Sequence, residues 1–138
     1  MRSSQTNVIV ADAGVVLEAL LSSGEYGRLA RYRLGSTEIH APELIDLEVL
    51  SALRRLAVQG EVTPPDALHV LGGLSRMRIY RHSHANFVRR IWELRDSVTP
   101  YDAAYVAIAE RANATLLTLD RRLAAAHGPR CRIELLRD

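Results

Sequence analysis

The 138-residue chain contains no lysine, so all 18 of its basic residues are arginine. With no lysine there can be no P-loop, whose glycine-rich turn ends in Lys-Ser/Thr, and no receiver-type phosphoacceptor site with its lysine partner. A single cysteine, Cys131, permits no internal disulfide, which makes a reducing cytoplasm the expected compartment and packing its expected role. Aromatic residues are only 5% of the chain, leaving little material for an extended stacking platform. Nor is there an apolar run approaching the ~20 residues of a membrane span. The polar start Met1-Arg2-Ser3-Ser4-Gln5-Thr6-Asn7 does not read as a signal peptide. Repeats, low-complexity tracts and long linkers are missing too, and 48% hydrophobic with 25% charged residues is ordinary globular composition. One domain over residues 1–138 is expected, large enough to bury a core without disulfide or metal staples.

The formal charge of +2 does not by itself identify a nucleic-acid binder. Arginine suits planar, bidentate contact with phosphate, although a GC-rich coding bias would produce the same composition. Setting aside the four acids singled out below leaves 12 acidic residues against 18 arginines, an excess of +6 on the remaining surface. Such a balance fits a polyanionic substrate.

Val8-Ile9-Val10-Ala11 is apolar without alternation, the pattern of a strand buried on both faces of a parallel sheet. Helical text follows in Val15–Leu21 and Glu25–Arg33, then a second strand at Thr37–His40 and a long helix opening at Pro42 and running to about Gln59. Thr63-Pro64-Pro65-Asp66 starts a helix weakened by Gly72-Gly73, and Met77–Tyr80 reads as a third strand. Ser83 can cap a helix carrying Phe87, Val88, Ile91, Trp92 and Leu94. Thr99-Pro100 opens the next helix, followed by a strand at Thr115–Thr118, a short helix with Leu123 and a last strand at Arg132–Leu135. Strands alternating with single or paired helices predict an α/β fold with a mostly parallel sheet. The ligand crevice of such a sheet lies beyond the strand carboxyl ends.

Four acids stand against apolar text: Asp12, Glu48, Asp102 and Asp120. Asp12 and Asp120 each follow an apolar strand and precede a helix, so each taken alone reads as an N-cap. Asp102 stands three residues after Thr99, a capping-box variant, on a helix apolar around most of its circumference. Mid-helix Glu48 cannot be a cap. Its neighbours three and four residues away are Leu44, Ile45, Ser51 and Ala52, leaving a buried ion pair to an arginine as the structural alternative. Several converging carboxylates must protonate unless a cation offsets their charge, and an all-oxygen set selects Mg²⁺ or Mn²⁺ over zinc. His40, His69, His82, His84 and His127 show no ligand spacing tied to these acids, and His82 and His84 read as surface residues. Carboxylate-held Mg²⁺ or Mn²⁺ suits phosphodiester hydrolysis without a side-chain nucleophile. A haloacid-dehalogenase-like site would need a second acid where Gly14 stands.

These residues resemble the PIN-domain ribonucleases, specifically the VapC-type toxins of type II toxin–antitoxin systems. Four segments carry the resemblance: Val8-Ile9-Val10-Ala11-Asp12; Pro42 with Glu48-Val49-Leu50-Ser51-Ala52-Leu53; Thr99-Pro100-Tyr101-Asp102-Ala103-Ala104-Tyr105-Val106-Ala107; and Leu117-Thr118-Leu119-Asp120. The resemblance implies a PIN-like three-layer fold with four to five mostly parallel strands flanked by helices. It carries the acidic quartet onto Asp12, Glu48, Asp102 and Asp120, with Thr118 as the hydroxyl beside the last. It further implies an Mg²⁺- or Mn²⁺-dependent endoribonuclease acting on RNA, homodimeric, and held inactive by a cognate VapB-type antitoxin whose tail occupies the groove. Gly14 departs from the pattern, which often has a small hydroxyl or amide residue there. That departure keeps open a non-enzymatic PIN-like protein- or RNA-binding module, while a DNA nuclease or phosphatase would use the same cluster. Arg121 and Arg122, beside Asp120, are the preferred RNA contacts, ahead of Arg54-Arg55, Arg89-Arg90 and the set Arg76, Arg78 and Arg81.

Overall fold

The computed structural model describes residues 7–136, so the expectation of no signal peptide rests on residues outside the described ones. The described residues form strands β1 (Val8–Ala11), β2 (Glu38–Pro42), β3 (Ile79–His82), β4 (Thr115–Thr118) and β5 (Ile133–Leu135). Between and after them run helices α1 (Ala13–Leu21), α2 (Glu25–Gly35), α3 (Ile45–Val58), α4 (Pro64–Arg76), α5 (Val88–Glu93), α6 (Pro100–Ala112) and α7 (Arg121–Ala124). A 3₁₀ turn, His84–Phe87, leads into α5. The strands make one sheet in the order β3-β2-β1-β4-β5, with every pairing parallel. Parallel strands need crossover helices, which flank the sheet and give the expected three-layer α/β architecture.

β1 lies at the centre because its apolar run is suited to burial on both faces. Val10 and Ala11 are wholly buried, as are Leu116 and Leu117 on β4. Chain order reverses about β1, since β2 and β3 lie on one side and β4 and β5 on the other. That reversal puts a crevice at the carboxyl ends of β1 and β4. Helix α6 is buried at every residue from Ala103 to Ala109 and packs against β1, β2 and β4, as its nearly uniform apolar text predicts.

Three local expectations need correction. Pro42 closes β2 and does not open α3, which begins at Ile45 after a turn; a proline tolerates the end of a strand as readily as the start of a helix. The third strand lies two residues later than Met77–Tyr80, because Ile79 supplies the buried contact and pairs with Ile39. His82 thereby enters the sheet and is half-buried, its ring stacked on His40 with 2.7 Å between His40 Nδ1 and His82 Nε2. Glu38 Oε1 lies 2.9 Å from the other ring nitrogen of His40. His84 is exposed as expected. Of the helix text after Ser83, Phe87 and Leu94 are buried, whereas Val88 and Trp92 face outward.

Candidate active site

Asp12 directly follows β1 and Asp120 stands two residues beyond β4, so the sheet brings both to the reversal point. Both candidate site residues are N-caps. Asp12 Oδ1 accepts from the Val15 N–H at 3.1 Å at the start of α1. Asp120 Oδ1 accepts from the Arg122 N–H at 2.9 Å at the start of α7. Thr118, fully buried, joins them: its hydroxyl donates to Asp12 Oδ2 and accepts from the Asp120 N–H at 3.0 Å. The strand ends are thus held together by one hydroxyl.

The other two acids arrive on helices. Asp102 sits in the first turn of α6, where the Thr99 hydroxyl accepts its backbone N–H at 3.1 Å, the anticipated capping arrangement. Glu48 on α3 makes no ion pair with an arginine among the described residues; its Oε1 accepts from the Tyr105 hydroxyl at 2.7 Å. Tyr105 is almost wholly buried in α6, and its role escaped sequence reasoning. The signal was present: a tyrosine inside an apolar helix carries an O–H that must find a partner.

Electrostatics tie the four together. Burial pushes the Asp12 carboxyl up to about 6, against the pull of the Thr118 and Val15 hydrogen bonds, and the charges of Asp102 and Asp120 add to the rise. Glu48 is raised by burial, opposed by the Tyr105 bond, with a further upward push from Asp102. Asp102 is raised by burial and by the charge of Asp120. Burial, then the Glu48 hydrogen bond and the charges of Glu48, Asp12 and Asp102, push the Tyr105 hydroxyl far above its ordinary range, so it remains a donor. Among the described residues no group of three or more Asp, Glu, His or Cys side chains is already placed to hold a metal ion. The charges of the four acids are nonetheless felt by one another, which makes them neighbours. Their all-oxygen donor set fits a hard divalent ion, whose charge would return the raised carboxyls to their ionised form.

Gly14 leaves the Asp12 anchor intact. A Cβ built there would lie 3.6 Å from Asp12 Oδ1, an ordinary contact, so the position has room for a hydroxyl without needing one. The arginine candidates divide by partner. Arg81 is ion-paired with Asp46, and Arg90 binds Glu110, Glu93 and the Gly128 carbonyl, which commits both to structure. Exposed Arg121 and Arg122 adjoin Asp120, and neither is in an ion pair among the described residues. Cys131 is half-buried with its thiol pushed up to about 11 by burial, so it is packed and unreactive.

Comparison with known proteins supplies the family. The PIN domain profile matches residues 9–128. Ribonuclease VapC9 of Mycobacterium tuberculosis is 36% identical over 129 residues, covering 94% of this chain and 98% of the relative. Ribonuclease VapC1 of the same organism is 40% identical, covering 93% and 97%. Among solved structures, PAE2754 from Pyrobaculum aerophilum superposes with a TM-score of 0.65 at 26% identity, covering 88% of this chain and 86% of that one. VapBC2 from Rickettsia felis, bound to a DNA fragment from its promoter, shares the fold at a TM-score of 0.62 and 15% identity, covering 93% and 98%. The strand order, the acids at the reversal point and these matches agree: the chain belongs to the PIN-domain family, in its VapC group.

Proposed function

We propose that this chain is a divalent-metal-dependent endoribonuclease toxin, with Asp12, Glu48, Asp102 and Asp120 as its metal-holding carboxylates. The observation that carries the proposal is the electrostatic coupling of these acids around buried Thr118 at the strand ends. The VapC relatives, named ribonucleases, make RNA the substrate class to test first. When bound, Mg²⁺ or Mn²⁺ supplies Lewis acidity that lowers the pKa of water and neutralises charge on the phosphodiester. The protein's own part is placement. Asp12 is immobilised through both oxygens, and Thr118 sets the spacing between Asp12 and Asp120. Tyr105 ties Glu48 through Oε1, which fixes a carboxylate that would help to hold the ion. Water attacks phosphorus and the leaving ribose oxygen takes a proton, with no covalent protein intermediate.

As a VapC-group chain it would act in the cytoplasm, as a homodimer, under a VapB-type antitoxin. Exposed Leu47, Val58 and Leu68 on α3 and α4 are apolar surface that a protein partner would cover. No helix among the described residues is long and apolar enough to cross a membrane.

The test is an assay of protein freed from any partner, on single-stranded RNA, single-stranded DNA and a small phosphate ester, with Mg²⁺, Mn²⁺ or EDTA. RNA cleavage with either metal and none in EDTA is expected. Cleavage that persists in EDTA would sink the metal mechanism, and RNA binding without cleavage under every condition would favour the binding module.

A further inference from the structure

A cavity of about 410 Å³ opens directly beside Asp102 and Asp120, its walls formed by residues 95–100, between α5 and α6, and by the start of α7. We infer that it is the subsite for an RNA nucleotide next to the cleaved bond, its phosphate gripped by Arg95 and Arg122; this rests on the ribonuclease function proposed above. The volume falls within the ~300–1,000 Å³ range of small-ligand pockets. Arg95, Arg122, Ser97 and Thr99 give its lining two cations and two hydroxyls for a sugar-phosphate, beside the carboxylates of Asp96, Asp102 and Asp120 and the apolar Val98, Pro100 and Leu123.

The two arginines differ from the three described arginines that are ion-paired. Arg33, Arg81 and Arg90 are each matched to a carboxylate. Arg95 and Arg122 share their cavity with Asp96, Asp102 and Asp120 yet form no ion pair with any of them. Arg122 is held at the rim by its backbone bond to Asp120, and its side chain is exposed. The Arg95 guanidinium donates to the Trp92 carbonyl at 3.1 Å and lies 4.7 Å from the centre of the Trp92 ring. A cation on an exposed aromatic face is loosely held, and a phosphate can redirect it. Three carboxylates in the same cavity disfavour a free anion. Selection is therefore for a chain bound at several phosphates at once.

Trp92 is the only tryptophan, so its fluorescence reports on Arg95. The experiment measures binding of a fluorescent single-stranded RNA decamer in EDTA by anisotropy, across a salt series, together with Trp92 emission. Arg95→Ala and Arg122→Ala should each weaken binding several-fold and lower the salt slope by roughly 0.7, with Arg122→Lys retaining part of the affinity. Arg28→Ala, on α2 and outside the cavity, should change neither. RNA should alter Trp92 emission in the wild type and not in Arg95→Ala. Wild-type affinity and salt slope in both alanine variants, each shown to fold by circular dichroism, overturn the inference while leaving the ribonuclease proposal standing. A wild-type protein that neither binds nor cleaves RNA defeats that proposal, and the inference with it.

Discussion

Asp12 is under opposed pressures: burial and neighbouring charges resist its ionisation, while Val15 and Thr118 favour it. The outcome is a carboxyl that titrates at about 6 in the fold, above its ordinary 3.8. A group raised on folding contributes stability fully below its unfolded pKa and loses it as pH rises through the folded value. The metal-free protein should therefore lose on the order of 2 kcal/mol from this residue between about pH 4 and pH 6. Asn is an equally good N-cap. Asp12→Asn should thus flatten that slope in chemical denaturation and raise the metal-free melting temperature at neutral pH, while reducing RNA cleavage at least ~100-fold. Glu48 depends on a neighbour instead. Tyr105→Phe removes its hydrogen bond, and bonds to charged groups contribute about 1.5–3 kcal/mol. The variant should bind Mn²⁺ several-fold more weakly by electron paramagnetic resonance titration, and in a Glu48→Gln background the same substitution should change little. At this scale Glu48 itself was legible, because apolar neighbours on a helix mark an unusual acid. Its partner was not, since Tyr105 lies 57 residues away and only the packing of α3 near α6 unites them.

Among the elements, α5 and α6 are fastened by Arg90, whose guanidinium reaches Glu110 at 2.8 and 2.9 Å and the Gly128 carbonyl at 3.0 Å. Burial pushes the Glu110 carboxyl up, but the bonds from Arg90 and the Arg130 N–H and the charge of Arg90 outweigh it, so the net shift is down. A depressed carboxyl contributes stability above its unfolded pKa, 4.5 here, and loses it as pH falls through the folded value. Arg90→Ala should cost about 2 kcal/mol by urea denaturation near neutral pH, and the deficit against wild type should shrink below pH 4. Gly14, in the first turn of α1, offers the reverse. Gly14→Ser has space and removes a flexible residue, so a gain of ~0.5–1 kcal/mol is expected, with a lower apparent pKa for Asp12 if the new hydroxyl donates to it. Element order and type followed from apolar periodicity and caps, since Thr63, Ser83, Thr99 and Asp120 each cap the helix or turn they precede. Boundaries at Pro42 and Ile79 did not, because they depend on pairing with β3 and β2 respectively.

For the molecule as a whole, the proposed metal site predicts that stability depends on divalent ions. A ligand that binds only the folded state stabilises it by about 2.7 kcal/mol at a hundredfold excess over its dissociation constant. Titration with Mn²⁺ at pH 7 should raise the melting temperature, EDTA should reverse the rise, and the effect should fade toward pH 4 as protons replace the ion. The convergence was anticipated from two strand-to-acid junctions in one small α/β chain; the cavity bounded by Arg95 and Arg122 was not, because loop walls follow no period. The parallel order of the sheet has one more consequence, in time. Central strand β1 ends at Ala11, yet its partner β4 starts at Thr115, so ~100 residues are synthesised between two strands that pair at the centre of the sheet. At about 5–20 residues per second, on the order of ten seconds separates Asp12 from Asp120. A nascent chain on its ribosome thus carries no assembled acid quartet until Asp120 has followed Asp12 by that interval, time in which a partner of the kind proposed above would be able to reach it.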